Sequence, residues 1–291
     1  MPRVHRAAGM TLIELVIVIT LCAICVSFMT MFVVTPINAY STQKQRAQLV
    51  DSADGALRLL SRDLRAALPN SVRVASAGNV VALEMLETID GARYRDNGPL
   101  TDPTQWLDFT SADTAFATTV PFSQVTLPFT SSSDYLAIYN VGVPGANAYA
   151  LANVITPPGT TITISAGATP NAQLVTMNPG FQFSWGSPGK RVYLVSGPIT
   201  YLCDLSIGAL TRYTGYSIGA TQLTSNAALL AAGASSGRVA ANVGACSFSY
   251  TAGTPARGAM ATLALTLTNS LAASSAQTAQ LVHQVHLVNA P

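Results

Sequence analysis

Hydrophobic positions fall into three regimes along the 291-residue chain. Between Leu15 and Val34 no charge interrupts an apolar run, and only Thr20, Ser27 and Thr30 are mildly polar. A helix needs about 20 such residues to cross a hydrocarbon core, so this run predicts a membrane span. Farther on the pattern becomes one-sided. Leu49, Ala53, Leu57, Leu60, Leu64 and Leu68 recur at steps of three or four, the stripe of a helix that buries one face. Asp54 stands one turn before Arg58 as a favourable pair, and Pro69 with Asn70 closes the run. Together these regimes predict one helix from Met10 to Leu68, roughly 90 Å long at 1.5 Å per residue. Pro36 is expected to bend or loosen it just outside the membrane.

Beyond Asn70 the third regime consists of short alternating segments with turn signals. SVRVA and VVALEML flank Ser76, Ala77, Gly78 and Asn79 as a hairpin. Asp90 with Gly91 reads as the next tight turn, and Gly186 to Gly189 as a hairpin loop. Further strand candidates are DYLAIYNV, TITIS, AQLVTM, FQFSW, RVYLVSG, ITYLCDL, LTRYTGY, ACSFSY, ATLALTLT and LVHQVHLV. In ATLALTLT, Leu263, Leu265 and Leu267 share one face. Residues 97 to 134 and 220 to 240 read as loops, and no internal repeat is visible. The expected fold class is α+β: a long N-terminal helix packed on a mostly antiparallel β-sheet domain.

Composition narrows the function classes. Hydrophobic residues make up 49% and charged ones 10%, too apolar a balance for a disordered chain. The formal charge is +2, and the surplus lies in Arg3 and Arg6, ahead of Met10. Past them basic and acidic groups balance, so no clustered basic face is available for nucleic acid. Arg3, His5 and Arg6 precede the span without an acid, which predicts a cytoplasmic N-terminus and export of everything after Val34. In a Gram-negative cell that compartment is the periplasm.

Cys22 and Cys25 lie inside the apolar run, where packing accounts for them better than redox chemistry. Cys203 and Cys246 sit in polar, strand-like surroundings. In an exported domain they should be bridged, contributing about 4 kcal/mol; two buried free thiols are the alternative.

One charge does not fit the apolar run. Glu14 stands near its start, where a carboxylate in lipid costs on the order of 3 kcal/mol and calls for a partner or a role. Three fates are open to such a segment: cleavage after it as a secretory signal, processing at Cys22 as a lipoprotein, or cleavage before it. Cleavage sites near Ile37 to Ala39 are poor, and Leu21 is too large to precede a lipidated cysteine.

The string Gly9, Met10, Thr11, Leu12, Ile13, Glu14, Leu15, behind a short basic leader, resembles the class III signal of type IV pilins and type II secretion pseudopilins. Met10 stands where that family usually has Phe. The resemblance implies cleavage after Gly9 by a prepilin peptidase that also methylates Met10. It implies pairing of Glu14 with the new amine of a neighbouring subunit, while snorkelling of Glu14 to the headgroups is the alternative. It divides the chain into a cytoplasmic leader (1–9), a transmembrane assembly helix (10–35), a periplasmic helical continuation (36–69) and a β-rich globular domain (70–291). Implied partners are other major and minor pilins, the peptidase, an inner-membrane platform protein and a motor ATPase.

RYRDNGPL, KRVYLVSGPITYLCD, LTRYTGY, the Cys246 segment and LVHQVHLVNAP further resemble a subgroup, the MshO minor pilins of the mannose-sensitive haemagglutinin (MSHA) pilus. A structural and assembly role without catalysis is expected, on a single-pass inner-membrane protein that later enters the pilus. A minor pseudopilin of a type II secretion system is the nearest alternative.

A signal-anchored periplasmic hydrolase is a rival of another class. Gly215, Tyr216, Ser217, Ile218 and Gly219 fit the nucleophile-elbow pattern G-x-S-x-G, which requires a later acid and then a histidine. No Asp or Glu follows Asp204, so His283 and His286 lack an acid in that order. At a spacing of three in a strand these histidines point to opposite faces and cannot share a metal. No cofactor or metal is expected.

Overall fold

The computed structural model describes residues 9–97, 102, 105–253, 258–269 and 277–287. A continuous helix runs from Leu12 to Arg65. It comprises α1 (Leu12–Met29), a π-helical stretch (Thr30–Val34) and α2 (Thr35–Arg65). Thr11 starts it: its backbone is extended and its hydroxyl accepts the Glu14 amide at 3.3 Å. This threonine cap holds Met10 outside the helix, so the rod begins two residues later than the periodicity suggests.

Pro36 acts where expected. It has no N–H to give the Phe32 carbonyl, and its ring crowds that oxygen. The preceding turn widens instead, with the Thr35 amide donating to Thr30 O.

The amphipathic stripe packs as its spacing predicts. Leu49, Ala53, Leu57, Leu60 and Leu64 are buried, and Arg58 Nε meets Asp54 Oδ2 at 2.7 Å. The helix stops at Arg65 rather than Leu68 because the chain there turns to strand-like pairing. Leu68 N–H donates to Leu86 O at 2.8 Å, and Thr88 N–H to Ala66 O at 2.9 Å.

Thirteen strands follow among the described residues, and every pairing there is antiparallel. The larger sheet contains β1 (Arg73–Ala77), β2 (Val80–Tyr94), β3 (Asp113–Val120), β4 (Phe129–Ser131) and β5 (Tyr135–Ala137). It continues with β6 (Thr161–Ala166), β7 (Gln173–Phe181), β8 (Arg191–Asp204), β9 (Ala209–Thr214) and β10 (Ser235–Ala241). Its order is β10-β9-β8-β2-β3-β7-β6-β4, with β1 beside β2 and β5 beside β8. A second sheet holds β11 (Val243–Thr251), β12 (Ala259–Asn269) and β13 (Gln277–Leu287).

The main core lies where both sheets meet α2. It joins the helical stripe to Leu83, Met85, Ile199, Tyr201 and Leu210, and to Leu263, Leu265, Leu267, Val285 and Leu287. Truncating Leu57, fully buried there, should remove about 3 kcal/mol, read as a lower urea midpoint with an unchanged slope.

Several local expectations are corrected. The hairpin at Gly78 and Asn79 forms, but Asp90 and Gly91 lie inside β2 rather than at a turn. Register shifts at Thr88 bulge the strand there, and the Asp90 carboxylate accepts from its neighbour's amide and from Gln124 N–H. Gly186 to Gly189 do not close a hairpin, because β2 and β3 separate β7 from β8. FQFSW is no independent strand: Phe181 ends β7 and Phe183 is buried in a second cluster with Tyr94 and Phe116. RVYLVSG and ITYLCDL are one strand, β8, in which Gly197 and Pro198 pair with Glu87 and Leu86 of β2 and Ser196 is skipped in the register. The stretches read as loops contain β3, β4, β10 and a short helix α3 (Asn226–Ala231), capped by Ser225.

Candidate assembly site

Gly9 and Met10 occupy an exposed, non-helical stretch ahead of the Thr11 cap. Arg3, His5 and Arg6 of the leader lie outside the described residues. Glu14 stands in the first turn of α1, where a carboxylate is favoured by the helix dipole. Thr11 and Glu14 thus have the spacing of a capping box, a signal legible in the sequence. Among the described residues the Glu14 side chain has no hydrogen-bond or ion-pair partner.

The rod behind it is apolar and bare. No residue of α1 or the π-helical stretch is buried, and the mean hydropathy of its most apolar window is 2.7. Its few polar side chains are satisfied internally. Thr20 Oγ1 donates to Ile17 O at 2.8 Å, Ser27 Oγ to Ala23 O at 2.9 Å and Thr30 Oγ1 to Val26 O at 2.9 Å. Glu14 is therefore the one side chain of this rod with an unmet electrostatic demand among the described residues. Cys22 and Cys25 are free and exposed on the same surface.

Farther along, α2 is fixed to the sheets by buried charge. Asp63, 3% exposed, accepts from Arg212 Nε at 2.7 Å and from Tyr201 O–H at 2.8 Å. Burial and the Asp63 carboxylate push the Tyr201 hydroxyl pKa up, so it stays a donor.

Glu84, buried on β2, receives Arg73 Nε at 2.8 Å and Tyr216 O–H at 3.0 Å. Its pKa is raised because desolvation outweighs the opposing pull of Arg73. The other Arg73 nitrogens donate to Ala220 O and Gly219 O, and its guanidinium lies 3.6 Å from the Tyr149 ring centre. Neither network was anticipated from the sequence, because ion pairs between distant strands leave no local pattern.

Arg73 and Tyr216 pin the segment that carries the G-x-S-x-G string. Ser217 itself is exposed in a coil, and the next helix begins only at Asn226, so the strand-turn-helix that a nucleophile elbow needs is not formed. His283 Nε2 lies 3.7 Å from Asp54 Oδ1 on the face of β13 toward α2, while His286 is exposed on the other. Among the described residues no group of three His, Cys, Asp or Glu could hold a metal. Cys203 of β8 and Cys246 of β11 are joined as a disulfide that links the two sheets.

Residues 4–30 match the family described as the prokaryotic N-terminal methylation motif. No curated protein and no solved structure matches the chain. The chain therefore carries a type IV pilin-like class III signal of the kind found in pilus and pseudopilus subunits. The motif implies processing by a prepilin peptidase and assembly with other pilins, and with the apolar helix behind it suggests an inner-membrane anchor.

Proposed function

We propose that this chain is a minor pilin that takes part in assembling or priming a type IV pilus of the MSHA kind. Residues 1–9 are its cytoplasmic leader, 10–35 its transmembrane assembly helix, 36–69 the periplasmic continuation and 70–291 the globular domain. It waits in the inner membrane until the platform protein and motor ATPase drive it into the filament beside other pilins.

The observation that carries this reading is the bare rod with a lone carboxylate at its start, continuous with a helix locked into a folded domain. After cleavage Met10 presents an α-ammonium at the membrane edge. The Glu14 carboxylate of a neighbour is a charge of opposite sign in the same medium, where two unpaired ions are costly and a pair is less so. Pairing therefore sets the register of one rod against the next. Heterologous contacts of this type repeat without closing a ring, as a filament requires.

Mass spectrometry of the mature N-terminus tests the reading: a chain beginning with N-methylated Met10 is expected. A mature chain that starts beyond Val34, or one that retains Met1 while working normally, overturns it. Deleting the gene should abolish piliation. Loss of exoprotein secretion with intact pili would assign the chain to a type II pseudopilus instead.

A further inference from the structure

From Leu15 to Gln43 the chain carries no charge, and the first two charges after that gap, Lys44 and Arg46, are both positive. They stand on the lower part of α2, which is bare. Every residue from Thr35 to Gln48 is exposed except the half-buried Thr42, and burial begins only at Leu49. Neither cation has an ion-pair partner among the described residues. The next acid along the helix, Asp51, lies more than a turn beyond Arg46. Below the pair Tyr40 is 71% exposed, although its ring is large and mostly apolar.

The heights of these three side chains follow from the span. A headgroup layer extends about 5 to 7 Å beyond the hydrocarbon on each side of a bilayer. At about 1.5 Å per residue that layer runs from Val34 to the neighbourhood of Ala39, so Tyr40 stands at its outer rim. Amphipathic rings collect at this level. Lys44 and Arg46 lie about 6 and 9 Å farther out, roughly one Debye length at physiological salt. Helical side chains lean toward the N-terminus, which here is the membrane, and long cationic stems can extend along that direction.

We infer that Tyr40, Lys44 and Arg46 form a collar that binds anionic phospholipid headgroups on the side of the membrane that carries the folded domain. Tyr40 and Lys44 share one face of the helix, and Arg46 points elsewhere. A protein partner would meet one face, whereas a headgroup layer cuts across the rod and meets every face at that height. The collar's charge is the complement of a lipid phosphate. Cleavage after Gly9 would remove Arg3, His5 and Arg6, leaving Lys44 and Arg46 as the basic side chains nearest the span. The collar then fixes the depth of the processed chain while it waits for assembly. This inference rests on the membrane anchor of the proposed function and adds a lipid partner to it.

The test uses the full chain in phosphatidylcholine vesicles, with a nitrobenzoxadiazole probe on Ser41→Cys in a Cys22→Ala, Cys25→Ala background. Doxyl-labelled phosphatidylglycerol should quench the probe at a mole fraction at least fivefold lower than doxyl-labelled phosphatidylcholine, since each cation near an anionic surface favours it roughly fivefold. Lys44→Gln with Arg46→Gln should abolish that preference without changing Tm, and about 1 M NaCl should abolish it in the parent. Equal quenching by the two lipids in the parent, or a preference that survives the double substitution, overturns the inference. Equal quenching together with loss of the double variant from filaments would give the cations to a neighbouring subunit and overturn it as well. Absence of quenching by either lipid would instead sink the anchor itself, a failure of the wider reading and not of the collar alone.

Discussion

Replacing Glu14 with Leu is expected to cut incorporation into filaments about a hundredfold while membrane insertion proceeds normally. The size follows from the roughly 3 kcal/mol cost of a charge left unpaired in lipid, at 1.4 kcal/mol per factor of ten. Quantitative immunoblotting of sheared filaments against the membrane fraction measures it, and equal amounts of variant and parent in filaments would remove Glu14 from the assembly step. Glu14 also completes the first helical turn, so a control must separate charge from capping. Thr11→Ala serves, since it removes the hydroxyl that accepts the Glu14 amide and keeps the carboxylate. Loss of such a cap costs about 1 kcal/mol and should affect incorporation far less.

The second large effect concerns the disulfide. Cys203 and Cys246 are 43 residues apart in the chain and tie β8 to β11, two strands in different sheets. Without the link, the unfolded chain regains about 4 kcal/mol of loop entropy in the chain-entropy model. Replacing both residues with Ser should therefore lower Tm by about 8 to 16 °C for a domain of this size. Scanning calorimetry on the oxidised parent and the double variant tests this. An unchanged Tm would mean that the sheets are held by the α2 core alone. Treatment of the parent with a reductant should reproduce the variant.

Helix and strands differed in how openly the sequence declared them. The stripe from Leu49 to Leu64 needed only its spacing, because one helix face meets one core. ATLALTLT was equally plain, since β12 has a buried and a half-buried side. The misread segments share a physical cause. Gly197 and Pro198 look like a break, yet they pair with Glu87 and Leu86 of β2, and β8 takes up the irregularity at the neighbouring Ser196. Asp90 and Gly91 look like a turn, yet Gln124 supplies the buried carboxylate with a donor from a distant loop. β10 has no alternation to read, because it is an edge exposed along most of its length. For the candidate assembly site, Glu14 stands out as a charge in an apolar run, and the Thr11 cap is present as a spacing. The long-range pairs Asp63 with Arg212 and Glu84 with Arg73 were hidden, since nothing near either carboxylate in sequence names its partner.

The hydroxyls of Thr20, Ser27 and Thr30 are turned onto their own backbone. The rod consequently offers the same greasy skin to acyl chains and to packed neighbours, and leaving the bilayer breaks no polar bond along that length. Exchange of lipid for apolar neighbours is then nearly neutral for most of the shaft, which leaves the proposed Glu14 pairing as the polar contact that would fix where it comes to rest.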